Sequence, residues 1–302
     1  MEWTESLKRS VIFMEEHLME DINTEDVANA VHISPFYFQK GFKIMTDYTV
    51  SEYIRNRRLY LAGLEVIAGK EKVIDLAFKY GYDTPESFSR AFSRFHGVTP
   101  SQLQNDHTKI VPFLPLKIVI SIQGGNKMDY TVEEMGALKL IGFGKDFRYD
   151  NSYEMIPKFW DEYCDTYCQG KNSNPEKQAA VERCHIGEFG ICIDSKGGKD
   201  GFRYMIAGRY DEGEIPEGME VIEIPMLTWA KFRCVGPMPH ALQAVNTKVF
   251  KEWLPGNPEY EMSEGINIEW YGVIIVLGAL FVYFLACLQR KHCFHSYSSK
   301  KS

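Results

Sequence analysis

What the chain lacks narrows it quickly. Its seven cysteines (164, 168, 184, 192, 234, 287 and 293) are odd in number and form no Cys-x-x-Cys pair. A disulfide framework is therefore not expected, and reduced thiols are the default. Cys164 and Cys168 stand four apart on an expected helix and could hold a metal only if Cys184 and His185 came near, so no metal or cofactor is expected. There is no Gly-x-Ser-x-Gly elbow and no His-Glu-x-x-His pair. Ser195-Lys196-Gly197-Gly198-Lys199 lacks the spacing of a phosphate-binding loop and reads as a hairpin loop. Nor is there an excess of basic charge: 34 Lys and Arg against 41 Asp and Glu leave a net charge of -7, unlike a general nucleic-acid binder. No signal peptide is expected, because Met1-Glu2-Trp3-Thr4-Glu5 leads straight into an amphipathic helix ending near Asp21.

What is present is enough for two domains, with 302 residues, 45% of them hydrophobic and 14% aromatic. The most informative feature is an internal repeat at an offset of 50 residues: Ser34-Pro35-Phe36-Tyr37-Phe38-Gln39-Lys40-Gly41-Phe42 returns as Thr84-Pro85-Glu86-Ser87-Phe88-Ser89-Arg90-Ala91-Phe92. Each unit opens with a hydroxyl residue that can cap the first helical turn and a Pro that fits the first helical position. Phe38 with Phe42, and Phe88 with Phe92, lie four apart and share one helical stripe. That leaves Phe36, Gln39, Lys40 and Lys43 on the outer face of the first copy, and Glu86, Ser89, Arg90 and Arg94 on that of the second. Gln, Lys and Arg on such a face reach base edges and phosphates in a major groove.

A short helix precedes each copy, at residues 23–31 and 72–81, so each half of the repeat reads as a helix-turn-helix. Gly81 supplies the second turn, whereas His32-Ile33 must make the first without glycine. Residues 49–69 join the units, with Ile54, Leu61, Leu64 and Ile67 at helical spacing. About 19 helical residues span roughly 28 Å, close to the roughly 34 Å between successive major-groove faces. One chain can then address two consecutive groove segments. Residues 34–94 hold ten Lys or Arg against seven Asp or Glu, so the basic charge lies where the readers are and binding should be salt-sensitive.

These motifs, with Val73-Ile74-Asp75-Leu76-Ala77, Gly81-Tyr82 and Gly97-Val98-Thr99-Pro100-Ser101, make residues 1–107 resemble the DNA-binding domain of the AraC/XylS family of bacterial transcription regulators. The resemblance implies an all-α domain of two helix-turn-helix units joined by a long helix. It places DNA contacts at Phe36, Gln39 and Lys40, then Glu86 and Arg90, with Lys43 and Arg94 on the same outer faces, and it pairs Arg57 with Asp75 as scaffold. Two departures touch the first copy. Asp47 stands where Gly97 stands in the second, and Gly41 inside the helix should weaken it by about 1 kcal/mol relative to Ala. The first reader is accordingly expected to be the softer.

Residues 108–127 read as a linker, punctuated by Pro112 and Pro115 and by Gly124-Gly125-Asn126. From residue 128 the pattern changes to strands near 128–135, 137–147, 181–193 and 202–208, with a helix over 152–169. A second round has strands near 219–224, 227–235 and 266–271 and a helix over 240–254. This α+β half of two strand-strand-helix-strand(-strand) repeats, residues 128–271, resembles the gyrase-inhibitor-like effector-binding domain. That resemblance implies a groove lined by aromatics with an acidic residue, suited to cationic, lipophilic or drug-like ligands, and a small amphipathic or cationic effector is expected, for which the candidates are Trp160, Tyr204, Trp229, Glu269 and Trp270. Each aromatic has core packing as its plainer role. In a strand, Glu269 faces away from Ile268 and Trp270.

The apolar tail, residues 272–302, departs from that family. Residues 272–288 form an uncharged run of 17, at the lower edge for a membrane span, followed by Arg290-Lys291. Acidic residues precede the run and basic ones follow it, so the positive-inside rule would export the helical domain, where a DNA reader cannot work. The alternatives are a tail anchor of the opposite orientation, a substitute strand, a packed helix, or a disordered end. The resulting expectation is a cytoplasmic, sequence-specific regulator, more an activator than a repressor. Its partners would be promoter DNA, a small-molecule effector and RNA polymerase, and it would not be an enzyme. The competing class is a membrane-tethered or ligand-hydrolysing sensor whose helical domain contacts protein.

Overall fold

The structure is a computed structural model that describes residues 3–119, 128–168, 174–194, 201–236, 240–257, 259–271 and 280–289. The expected glycine break at 124–126 and the hairpin loop at 195–199 lie outside them. So do residues 272–279 and 290–302 of the tail.

The helical half runs α1 (Trp3–Glu16), α2 (Thr24–Ala30), α3 (Pro35–Thr46), α4 (Val50–Ala68), α5 (Val73–Lys79), α6 (Pro85–His96) and α7 (Pro100–Asn105). The two copies of the repeat are α3 and α6, each begun by its hydroxyl cap: Ser34 accepts from the Tyr37 amide and Thr84 from the Ser87 amide. Both end in a left-handed residue, Asp47 at φ 64° and Gly97 at φ 76°, so Asp takes the conformation that glycine adopts freely. The first turn is made by His32 at φ 56° where the second has Gly81 at φ 80°. Between the copies, α4 starts with a capping box of Thr49 and Glu52 and stops at Gly69.

One scaffold expectation is overturned. Arg57 does not pair with Asp75, which is exposed on α5. Its guanidinium reaches back to α1, where Nε and Nη2 each donate to the Glu15 carboxylate at 2.7 Å, and Nη1 donates to the Phe113 carbonyl. Tyr53 donates to the same carboxylate at 2.6 Å. Arg57 is buried, and only a forked, doubly bonded partner offsets the loss of its hydration.

The second half is built on one eight-stranded antiparallel sheet: β1 (Tyr130–Met135), β2 (Leu138–Arg148), β3 (Phe189–Ile193), β4 (Gly201–Arg209), β5 (Glu220–Ile224), β6 (Leu227–Val235), β7 (Tyr260–Tyr271) and β8 (Leu280–Gln289). Their order is β1-β6-β8-β7-β3-β4-β2-β5, which reads the same from the other end when β1–β4 are exchanged with β5–β8. Helices α8 (Ser152–Tyr163), α9 (Pro175–Arg183), α10 (His240–Lys248) and the short α11 (Leu254–Gly256) lie in this half, with π-helical turns continuing α8 at Cys164–Cys168 and α10 at Val249–Trp253. The expected strand over 181–193 is corrected: α9 occupies its start, capped by Asn174 with Pro175 at the first position, and only Phe189–Ile193 is extended.

Within the tail, β8 lies between β6 and β7. Tyr283, Leu285 and Cys287 are buried on one face of the sheet and Ala286 on the other. A strand covered on both faces must be apolar throughout, which fits the uncharged composition of Leu280–Gln289. Among the described residues, no helix is long and apolar enough to cross a membrane.

The cores are unequal. The second helix-turn-helix has its own, built from Leu59, Ala62, Leu76, Phe88, Phe92 and Leu103. The first does not: Phe36, Tyr37, Phe38 and Phe42 belong to one continuous cluster with Phe147, Phe202, Tyr204, Phe232, Phe250 and Tyr283 of the second half. The far face of the sheet holds a further cluster, with Phe189, Met205, Trp229 and Ile268.

Candidate functional site

A cavity of about 500 Å³ opens between the sheet, α8, α10 and α3. Its floor comes from alternation on the strands. Glu269 pairs across β7 and β3 with Gly190, and across β7 and β8 with Tyr283. A Cβ at Gly190 would come within 2.8 Å of the Glu269 carboxylate and overlap the Tyr204 hydroxyl, so glycine is what leaves room for both. The Glu269 Oε2 accepts from Tyr204 at 2.8 Å and from Tyr271 at 2.7 Å, while the Trp160 indole N–H donates to the Tyr204 oxygen at 2.9 Å. Burial holds both phenols well above their usual pKa, and the Glu269 charge adds to this, so they remain donors.

Three of the five expected ligand residues therefore meet: Trp160, Tyr204 and Glu269 all line the cavity. Trp229 and Trp270 do not, and this is a correction. Both pack on the opposite face of the sheet, Trp229 fully buried and Trp270 donating its indole N–H to Glu188 at 2.7 Å. The alternation that turns Glu269 inward turns Trp270 outward. Sequence reasoning missed Tyr271, two residues beyond Glu269 and so on its face, and Asn246 of α10. Asn246 is buried at the cavity wall with its side-chain oxygen unpartnered among the described protein atoms.

The larger correction concerns α3. Phe36, Gln39 and Lys40, expected to face DNA, line this cavity instead. Phe36 packs edge-on against Phe202 with ring centroids 4.8 Å apart, and its amide donates to Asp194 at 3.0 Å. Gln39 is buried and accepts from the Val50 amide at 3.3 Å, securing the start of α4. The Lys40 ammonium lies 3.4 Å from the Tyr283 hydroxyl and 4.8 Å from the centre of that ring. Burial lowers the pKa of Lys40, and the field of nearby groups, Glu269 among them, acts the other way. Lys43 stays outside, donating to the Asp47 carbonyl at 2.6 Å and pairing with Glu52 at 3.4 Å.

On α6 the matching face is free of the sheet. Glu86, Arg90 and Arg94 are all exposed, while Phe88 and Phe92 are turned inward and fully buried. Gly41 differs from Ala91 for a packing reason: a Cβ there would overlap the Trp3 ring and come within 2.7 Å of Phe250. The two copies of the repeat are unequal because α3 is docked on the sheet half while the matching face of α6 is exposed.

A double helix-turn-helix whose second unit exposes Arg90 and Arg94, joined to a sheet that encloses a cavity with a carboxylate among aromatics, has the architecture of a DNA-binding regulator with a second, cavity-bearing half. Residues 27–106 match the helix-turn-helix domain model, and residues 131–282, just over half the chain, match the model of the integron-associated effector binding protein. The chain belongs to the AraC-type transcription regulators that carry a gyrase-inhibitor-like effector-binding domain. It is 37% identical over 98 residues to the Transposon Tn10 TetD protein of Escherichia coli, covering 32% of this chain and 71% of that protein. It is 36% identical over 93 residues to the regulatory protein SoxS of Salmonella typhimurium, covering 31% and 87%. Among solved structures, SAV2435 bound to tetraphenylphosphonium aligns with 53% of this chain and 94% of that one, at 16% identity and a TM-score of 0.42.

Proposed function

We propose that this regulator is a cytoplasmic activator whose action at promoters is governed by a small lipophilic cation held against Glu269. The observation that carries the reading is a carboxylate set among Trp160, Tyr204 and Tyr271 in a largely apolar cavity. Aromatic faces attract a cation through their quadrupoles, and a carboxylate between them supplies the countercharge where water is scarce. Arg90 and Arg94, exposed beside Glu86 on α6, support base and phosphate contacts in a major groove. RNA polymerase is the protein partner that activation requires. Calorimetric titration of the full chain with tetraphenylphosphonium and with neutral triphenylphosphine oxide tests the ligand class. The cation should bind at least on the order of tenfold more tightly, the least that a desolvated cation–π and carboxylate site contributes. Equal affinities would remove charge from the account and leave only an apolar slot.

A further inference from the structure

The face of α3 that matches the DNA-reading face of α6 is occupied by the effector half, and the contacts that hold it there are specific. At the start of the helix, the Asp194 carboxylate accepts from the Phe36 amide at 3.0 Å and also from Tyr149. An anion at a helix N-terminus is favoured by the free amides and by the helix dipole. One residue on, the Tyr37 hydroxyl donates to the Ile266 carbonyl of β7 at 2.5 Å. One turn further, Gly41 lets Trp3 and Phe250 close over the helix, their ring centroids 5.6 Å apart. The second copy has Glu86 in place of Phe36 and Ser87 in place of Tyr37, so α6 has no aromatic pair to dock with.

Between these anchors Lys40 enters the cavity. Its ammonium sits over the Tyr283 ring, 4.8 Å from the centroid, and 5.5 Å from that of Phe36, on the same cavity wall system as Glu269. A cation among aromatic rings, with a carboxylate as the nearby countercharge, is the chemistry proposed above for the ligand. We propose that Lys40 is a built-in occupant of the effector cavity: it keeps α3 docked and masked from DNA, and an entering lipophilic cation displaces it and releases the first reader. This rests on the cation-sensing reading of the same cavity. The helix cannot present Phe36, Gln39 and Lys40 to a major groove while they line the cavity, so docking and first-site DNA binding exclude each other. A ligand that binds only the undocked state pays for undocking, and its apparent affinity falls by the fraction of molecules that are open.

The test uses the full chain, tetraphenylphosphonium as probe, and the variants Lys40→Met and Asp194→Asn. Lys40→Met removes the internal cation, and Asp194→Asn loosens the start of α3 from outside the cavity while leaving Lys40 in place. Hydrogen exchange over residues 34–46 should quicken at saturating cation in the wild-type chain, with residues 85–96 unchanged. Both variants should bind the cation on the order of tenfold more tightly, as expected if about nine-tenths of wild-type molecules are docked. Asp194→Asn is the sharper arm: removing a negative charge near the cavity should by simple electrostatics weaken cation binding, so tightening can come only from undocking. If the cation binds but α3 exchange stays the same or slows, and neither variant tightens, displacement is refuted while cation sensing stands. If none of the three chains binds the cation, the sensing reading itself fails.

Discussion

Replacing Glu269 with Gln removes one charge and almost no volume, and the structure sets the size of the effect. A ligand cation among Trp160, Tyr204 and Tyr271 would lie roughly 5 Å from the carboxylate, where an effective dielectric of about 20 gives an attraction of about 3 kcal/mol. Part of this is offset by the hydration that the cation gives up on entering the cavity, so a net loss of about 2 kcal/mol is expected, close to thirtyfold in Kd. The substitution should leave the cavity in place, because an amide oxygen in the position of Oε2 can still accept from Tyr204 and Tyr271. Neutral triphenylphosphine oxide should therefore bind the variant about as well as the wild-type chain. Calorimetry with both probes at two salt concentrations reads the difference, and most of the cation's loss should persist at the higher salt because a partly buried pair is screened much less than an exposed one. Equal losses for cation and neutral probe would mean that Glu269 shapes the cavity without supplying charge. No loss for the cation would refute the electrostatic role outright.

Arg90→Ala should weaken specific DNA binding by about 1 to 3 kcal/mol and relax preference at one position of the site, measured by mobility shift on a set of single-base operator variants; equal loss on every sequence would mean that Arg90 touches only phosphate. Gly41→Ala should lower the denaturation midpoint of the full chain, because a Cβ there overlaps Trp3 and crowds Phe250 at a typical overpacking cost of about 1 to 3 kcal/mol. Helix propensity alone predicts the opposite sign, a gain of about 1 kcal/mol. His96 gives a pH dependence: its Nδ1 accepts from the Val111 amide at 3.1 Å and its other nitrogen lies 3.0 Å from the Leu59 carbonyl, an arrangement for the neutral ring. Burial lowers its pKa below the usual 6.5, so its contribution is present above about pH 6.5 and lost as pH falls through the folded-state pKa. Urea melts of wild type and His96→Gln across pH 7.5 to 5 should show a shallower decline in the variant; parallel curves would contradict this.

The parts of the fold that were legible in the sequence are those set by local chemistry. Ser34-Pro35, Thr84-Pro85, the capping box of Thr49 and Glu52, and Gly69 mark helix ends by hydrogen bonds and backbone angles that need no distant partner. Helix α9 left the same kind of signal in Asn174-Pro175, but the apolar residues downstream drew the strand too early. The cavity was half legible. Alternation along β7 correctly turned Glu269 away from Ile268 and Trp270, yet the same alternation excludes Trp270 from the site and admits Tyr271.

Docking of α3 is a tertiary fact, and no local rule states it. One sequence signal does bear on it: Phe36 and Tyr37 put two aromatics where the second copy has Glu86 and Ser87, and large aromatics at outward positions of a helix start need a surface to cover them. The glycine at 41, read locally as a weak point, is the close-approach site for Trp3 and Phe250. The tail likewise depended on context, since a central strand buried on both faces and a short membrane span have the same apolar composition.

Footprinting of the adjoining promoter by the full chain, with and without saturating tetraphenylphosphonium, decides most directly whether the readers differ because one is docked. Without the cation, protection should cover one major-groove segment and depend on Arg90. With it, protection should extend by about one helical turn, roughly 10 base pairs, in a region sensitive to Lys40→Met. A footprint already two turns long without the cation, and unchanged by it, would contradict the account.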